Sequence, residues 1–191
     1  ESVETVAVQG IVAEAAKVEI RDAGKVTIKA NGDASAIHAS GADAVVKITT
    51  ASGDKAVRLE ATGATDKAVL HADNGAKVEI DGKVKIVETN GNEAIKVGVG
   101  STVTINGGVI GNADDEGKAA IRLINGGKIN INEAKEDYDV VTNGDIVLDG
   151  NSNGEAGGGK IIYNTATSAH NGNIVNSSAN VQNFAVEFSN G

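Results

Sequence analysis

AKVEI at 16–20, AVVKIT at 44–49, AKVEI at 76–80, STVTI at 101–105 and GKINI at 127–131 each place two apolar residues at alternate positions, and they recur about every 25 to 32 residues. Alternation of this kind marks a strand with one buried face, and a recurrence of this length is the period of a solenoid. Two further series keep step. The second comprises KVTIK (25–29), KAVRLEA (55–61), KVKIV (83–87) and GGVIG (107–111); the third comprises SAIHAS (35–40), KAVLHA (67–72), EAIKV (93–97) and KAAIRL (118–123). Helices are disfavoured by the β-branched content and by repeated Gly and Asn-Gly breaks.

The intervals separate a solenoid from a sandwich of hairpins. From the third series to the next first-series strand, Ile37 to Val46 spans nine residues, while Leu70 to Val78, Ile95 to Val103 and Ile121 to Ile129 each span eight. Insertions gather at another corner, where Val26 to Ile37, Val57 to Leu70, Val84 to Ile95 and Val109 to Ile121 are 11 to 13 apart. A triplet with its own fixed corner predicts an all-β, right-handed parallel β-helix with three strands per coil and about six to seven coils. Val18, Val46, Val78, Val103 and Ile129 should form one interior column, with Ile20, Ile48, Ile80, Ile105 and Ile131 beside it. Residues 1–191 read as one domain: 1–15 an edge or cap, 16–131 regular coils, and 132–191 irregular coils whose Asn, Ser and Gly suit side-chain ladders and tight corners.

Composition fits this architecture and removes several function classes. The chain of 191 residues has 25 Gly, two Tyr, two Phe and no Pro, Cys, Met or Trp. A core without large rings must be built from many Val, Ile, Leu and Ala side chains, each large one worth roughly 1.5–3 kcal/mol when fully buried. A formal charge of −9, from 17 basic and 26 acidic residues, argues against a nucleic-acid partner or adsorption to anionic lipid. Without cysteine there is no disulfide, thiolate nucleophile or Cys-ligated zinc. No apolar run reaches the roughly 20 residues of a membrane-spanning helix. Opening on Glu1, the sequence is expected to be a processed or excised segment.

Val/Ile-rich coils separated by G-N, N-G and G-G corners, as in GVGSTVTINGGVIGN (98–112) and INGGKININ (124–132), resemble the β-helical passenger segments of bacterial autotransporters and of filamentous-haemagglutinin-type secreted proteins. The resemblance runs from about residue 16 to the end. It implies an extracellular or cell-surface bacterial protein acting as an adhesin, stalk or biofilm component, while the same composition would also suit a coat or extracellular-filament subunit or a designed solenoid. Its expected partners are further copies of itself, joined end to end, or a host or glycan surface. No catalytic motif of that group can be placed on these positions, and the chain is expected not to be an enzyme.

Three constellations are candidates for chemistry. His38, His71, Lys96 and Arg122 occupy matching outward places in the third series and should stack into a basic stripe able to hold an anionic glycan; a merely solvated face is the plainer reading. DGNSNGE (149–155) sets Asp149, Asn151, Asn153 and Glu155 at alternate positions, as in a calcium loop. The twelfth position, which requires a bidentate Glu, is Lys160, so an ordinary polar corner is preferred and no cofactor beyond a calcium ion is suggested. Carboxylates also cluster in successive loops: Asp114, Asp115 and Glu116, then Glu133, Glu136, Asp137 and Asp139. Paired carboxylates cleave polysaccharides, but only Tyr138 offers an aromatic platform nearby. Glu19, Lys47 and Glu79, by contrast, alternate in sign along one face and should serve to fix strand register.

Overall fold

A computed structural model describes residues 3–7, 10–21, 25–31, 34–50, 56–62, 68–88, 93–111, 119–132, 139–150, 159–165, 168–177 and 184–189. Among them there is no helix, and the strands form three seven-stranded parallel sheets that are the faces of a β-solenoid. The first face carries β3 (Lys17–Arg21), β6 (Val45–Thr49), β9 (Lys77–Asp81), β12 (Thr102–Ile105), β15 (Lys128–Asn132), β18 (Gly159–Asn164) and β21 (Phe184–Phe188). The second carries β1 (Val3–Ala7), β4 (Lys25–Ala30), β7 (Ala56–Ala61), β10 (Val84–Glu88), β13 (Gly108–Ile110), β16 (Val140–Asn143) and β19 (Ala169–Asn171). On the third are β2 (Ile11–Glu14), β5 (Ile37–Ser40), β8 (Leu70–Asp73), β11 (Ile95–Val97), β14 (Ala119–Ile124), β17 (Asp145–Asp149) and β20 (Ile174–Asn176). Each strand pairs with its counterpart 23 to 33 residues away, never with its neighbour in sequence.

The interior columns follow from that register. Val18, Val46, Val78, Val103 and Ile129 pair in succession, as do Ile20, Ile48, Ile80, Ile105 and Ile131. The third face adds Ile37, Leu70, Ile95, Ile121 and Ile146, all fully buried. Stacking like on like keeps every branched side chain in van der Waals contact with its copies above and below, which close packing requires.

One repeated turn explains the constant corner. The amide of the fourth residue donates to the carbonyl of the first in Gly41–Ala44, Asp73–Ala76, Gly98–Ser101 and Ile124–Gly127, at 2.9–3.1 Å. Asn74 and Gly75 both have positive φ, and so do Asn125 and Gly126, the conformation that selects Asn-Gly in a tight turn.

The second face corrects one expected anchor. Val109 pairs with Lys85, and Gly108 takes the inward place between Val84 and Val140 in sequence with the other rungs. Gly107 and Gly108 both have positive φ, and a Cβ on Gly108 would collide with the Val84 carbonyl oxygen. The chain therefore enters this face one residue earlier than the apolar pattern indicates, turning Val109 outward. Residues 1–15, expected as an edge or cap, supply the terminal strands β1 and β2.

Towards the C-terminus the second face turns polar inside. The column Ile28, Leu59, Ile86, Ile110 continues into Thr142, 1% exposed, and then His170. Both His170 ring nitrogens are buried and make no hydrogen bond among the described residues. Burial holds its pKa below the ordinary 6.5; the Asn173 backbone and the Asp145 charge offset part of that effect. Below about pH 6.5 the unfolded chain takes up a proton that folded His170 refuses. Its contribution to stability is thus complete above that pH and is lost as pH falls towards the lowered folded value. Thermal melts at pH 7.5 and 5.5 should show a fall in midpoint on acidification that is clearly smaller in His170→Leu; equal falls in both proteins would contradict this assignment.

Candidate functional site

The four basic residues of the third face do form one outward column. Val12, His38, His71, Lys96, Arg122, Val147 and Val175 are successive partners in the ladder. The two imidazoles lie flat on each other, with ring centroids 4.8 Å apart and an interplanar angle of 8°, because parallel rungs repeat at about that spacing.

Carboxylates interleave with this column: Asp73 and Glu93, which the sequence pattern does not single out, and Asp149, which it assigns to a calcium loop. Asp73 stands one column over, on the rung of His71 and beside Ser40 of the rung before. Its Oδ2 lies 3.4 Å from His38 Nε2 and 3.7 Å from His71 Nε2. Partial burial works against the Asp73 charge, but a hydrogen bond from Ser40 and the two imidazoles outweigh it and hold the carboxyl below its ordinary range. Arg122 is clamped between Glu93, through its Nε, and Asp149, whose Oδ2 accepts from Nη1 at 2.9 Å. Partial burial disfavours the guanidinium charge; the two carboxylates more than compensate and raise its pKa. Among the described residues Lys96 makes no ion pair. The stripe is therefore a mixed-charge ladder, with Lys96 as its open cation.

The remaining candidates divide in the same way. Asp149 serves Arg122, while Asn151, Asn153 and Glu155 of the calcium-loop reading lie outside the described residues. So do Asp114, Asp115, Glu116, Glu133, Glu136, Asp137 and Tyr138; Asp139 is exposed just before β16. On the first face Lys47 Nζ reaches Glu79 at 3.2 Å, Glu19 pairs with Arg21 at 2.7 Å, and Asn130 donates to Thr104 Oγ1 at 3.3 Å. A neighbouring column is an amide ladder: Asn164 donates to Asn132 at 2.7 Å and Asn132 to Asn106 at 2.8 Å. These columns lock register rather than present a reactive group.

Comparison of the chain with known protein families, with characterised proteins and with solved structures returns no match.

The contrast between Arg122 and Lys96 can be measured. Replacing Arg122 by Met leaves two partly buried carboxylates, Glu93 and Asp149, without their shared cation, and should lower the unfolding free energy by about 1–2 kcal/mol. Lys96→Met strands no partner and should stay within about 0.5 kcal/mol of the parent. Urea unfolding of the two variants checks the order, and equal losses would contradict it.

Proposed function

We propose that the chain is a non-catalytic structural or adhesive rod of a secreted or cell-surface bacterial protein, and that its C-terminal coil docks on a second copy, end to end. The observation that supports this reading is how the interior columns terminate. Ile174 continues the column of Ile146, Val186 that of Ile161, and Phe188 that of Tyr163. They are 40%, 37% and 74% exposed, respectively. The Phe188 ring stacks on Tyr163 at 5.3 Å.

A second copy suits this end chemically. At the opposite end β3 is the terminal strand of the same face, with Val18 and Ile20 half-buried in the same two columns. Stacking β3 of one chain on β21 of another would extend the parallel ladder without changing its register. It would set Glu187 against Glu19, with the cations Lys17 and Arg21 on either side. An open edge left unpaired is otherwise a template for unspecific association. In this reading the coil is right-handed, the sense that parallel crossovers favour, and six to seven coils at about 4.8 Å make a rod on the order of 30 Å long.

The extracellular setting rests on the likeness of the Gly/Asn-cornered coils to autotransporter passengers. Anionic-glycan binding through the stripe is disfavoured by the carboxylates that occupy Arg122 and face His38 and His71. A polysaccharide-active enzyme would depend on the acidic loops, and variants at Asp114, Asp115 and Asp137 would test it.

Light scattering over a concentration series measures the docking. The parent chain should gain mass with concentration, and Val186→Asp with Phe188→Asp should stay monomeric while keeping the parent far-ultraviolet spectrum. A parent that remains monomeric at the highest concentration, or a variant that associates equally, would contradict the proposal.

A further inference from the structure

The third face repeats a short string in consecutive coils: His38-Ala39-Ser40 lies in register under His71-Ala72-Asp73. The alanines point into the core and are fully buried, so the flanking side chains of both rungs project on the same outer face. Two imidazoles and one carboxylate are brought together there by backbone geometry alone.

Donor atoms from His38, His71 and Asp73 all lie within 4.8 Å of one another. Each Nε2 stands 3.4 and 3.7 Å from the shared Asp73 Oδ2. Two ligands of one tetrahedral zinc ion, each about 2.0–2.2 Å from the metal, are separated by roughly 3.3–3.5 Å. The two nitrogen-to-oxygen distances are thus already near the required values, and the two imidazole nitrogens, within 4.8 Å of each other, must converge by side-chain rotation for one ion to bind both. Side-chain exposures of 34%, 19% and 25% leave the cluster open to solvent on one side, where water or another ligand completes the coordination.

The carboxylate is held in place from behind. Asn74 Nδ2 donates to Asp73 Oδ1 at 3.1 Å and to Ser40 Oγ at 3.0 Å. Oδ1 is thereby engaged and Oδ2 faces the imidazoles. Asn74 can do this because it sits at positive φ in the tight turn after β8. Such outer contacts orient a ligating group and typically contribute 10- to 100-fold to metal affinity.

We propose that His38 Nε2, His71 Nε2 and Asp73 Oδ2 form a surface site for a divalent transition cation of the zinc type. Imidazole nitrogen with one carboxylate is a donor set for zinc, copper or nickel and a poor one for calcium or magnesium, which take oxygen ligands. Lys96 is the next residue beyond His71 in the same column, so its positive charge opposes the ion.

Titration of the whole chain with zinc chloride at pH 7.5, followed by calorimetry, tests the site, with cobalt(II) as a spectroscopic substitute. Saturation is expected at one zinc per chain, with cobalt giving visible bands of tetrahedral or five-coordinate type. His71→Asn and Asp73→Asn should each weaken binding at least about tenfold, Asn74→Ala by about tenfold, and Lys96→Gln should tighten it several-fold. Millimolar magnesium should not displace the zinc. Circular dichroism identifies any variant that fails to fold, and the near-isosteric Asp73→Asn and the surface change Lys96→Gln then carry the decision. No saturable zinc binding, or binding equal in parent, His71→Asn and Asp73→Asn, would overturn the proposal.

Discussion

The structure depends on in-register parallel stacking of like side chains. A parallel rung sets each residue about 4.8 Å from its counterpart, so a column of Val or Ile is satisfied only if every coil returns the same side chain to the same place. The registers of β6, β9, β12 and β15 meet that condition without a slip. A one-residue shift would turn every inward Val or Ile to solvent and bring a charge into the core. What allows this fidelity is that length variation is confined to corners, where added residues leave the strands undisturbed.

The same constraint acts outside the core. Because identical positions are stacked, any outward residue meets its equivalents from neighbouring coils, for better or worse. Lys47 over Glu79 and the amide ladder Asn106, Asn132, Asn164 turn the proximity into attraction. The stacked His38 and His71 are held by Asp73, and Arg122 is bridged by Glu93 and Asp149. A column of uncompensated cations at this spacing would repel itself, so the local arrangement of carboxylates decides how much of the third face is available to a ligand.

The strand series and the interior columns were legible because hydrophobic alternation and a fixed interval act together between residues 16 and 131. Legibility declined where those signals separate. At β17 to β18, Ile146 and Ile161 are adjacent rungs of different faces fifteen residues apart, so the insertion has moved to the corner that was constant before. The preceding corner contracts to Gly144 alone between β16 and β17. β19 is the sequence AHN, with no β-branched residue to announce it. The glycine pair at 107–108 hid a shift of one residue, since apolar pattern alone favours Val109 over a glycine. As for the site, the basic column could be read from periodicity, but Asp73 closes β8 and Asn74 lies in the turn that follows, so their approach to the imidazoles depends on exact register and on that turn. A His-x-Ser under a His-x-Asp at equal phase was the available signal.

Pulsed electron spin resonance on a doubly labelled chain measures the stacking most directly, and the absence of cysteine makes labelling at two introduced cysteines specific. Glu19 and Ile162 lie in one outward column, linked through Lys47, Glu79, Thr104 and Asn130. Five rungs at about 4.8 Å place their backbones roughly 24 Å apart. The parallel solenoid predicts a narrow distribution centred within about 20–30 Å after allowance for the label arms. A broad distribution, or a centre well outside that interval, would contradict it.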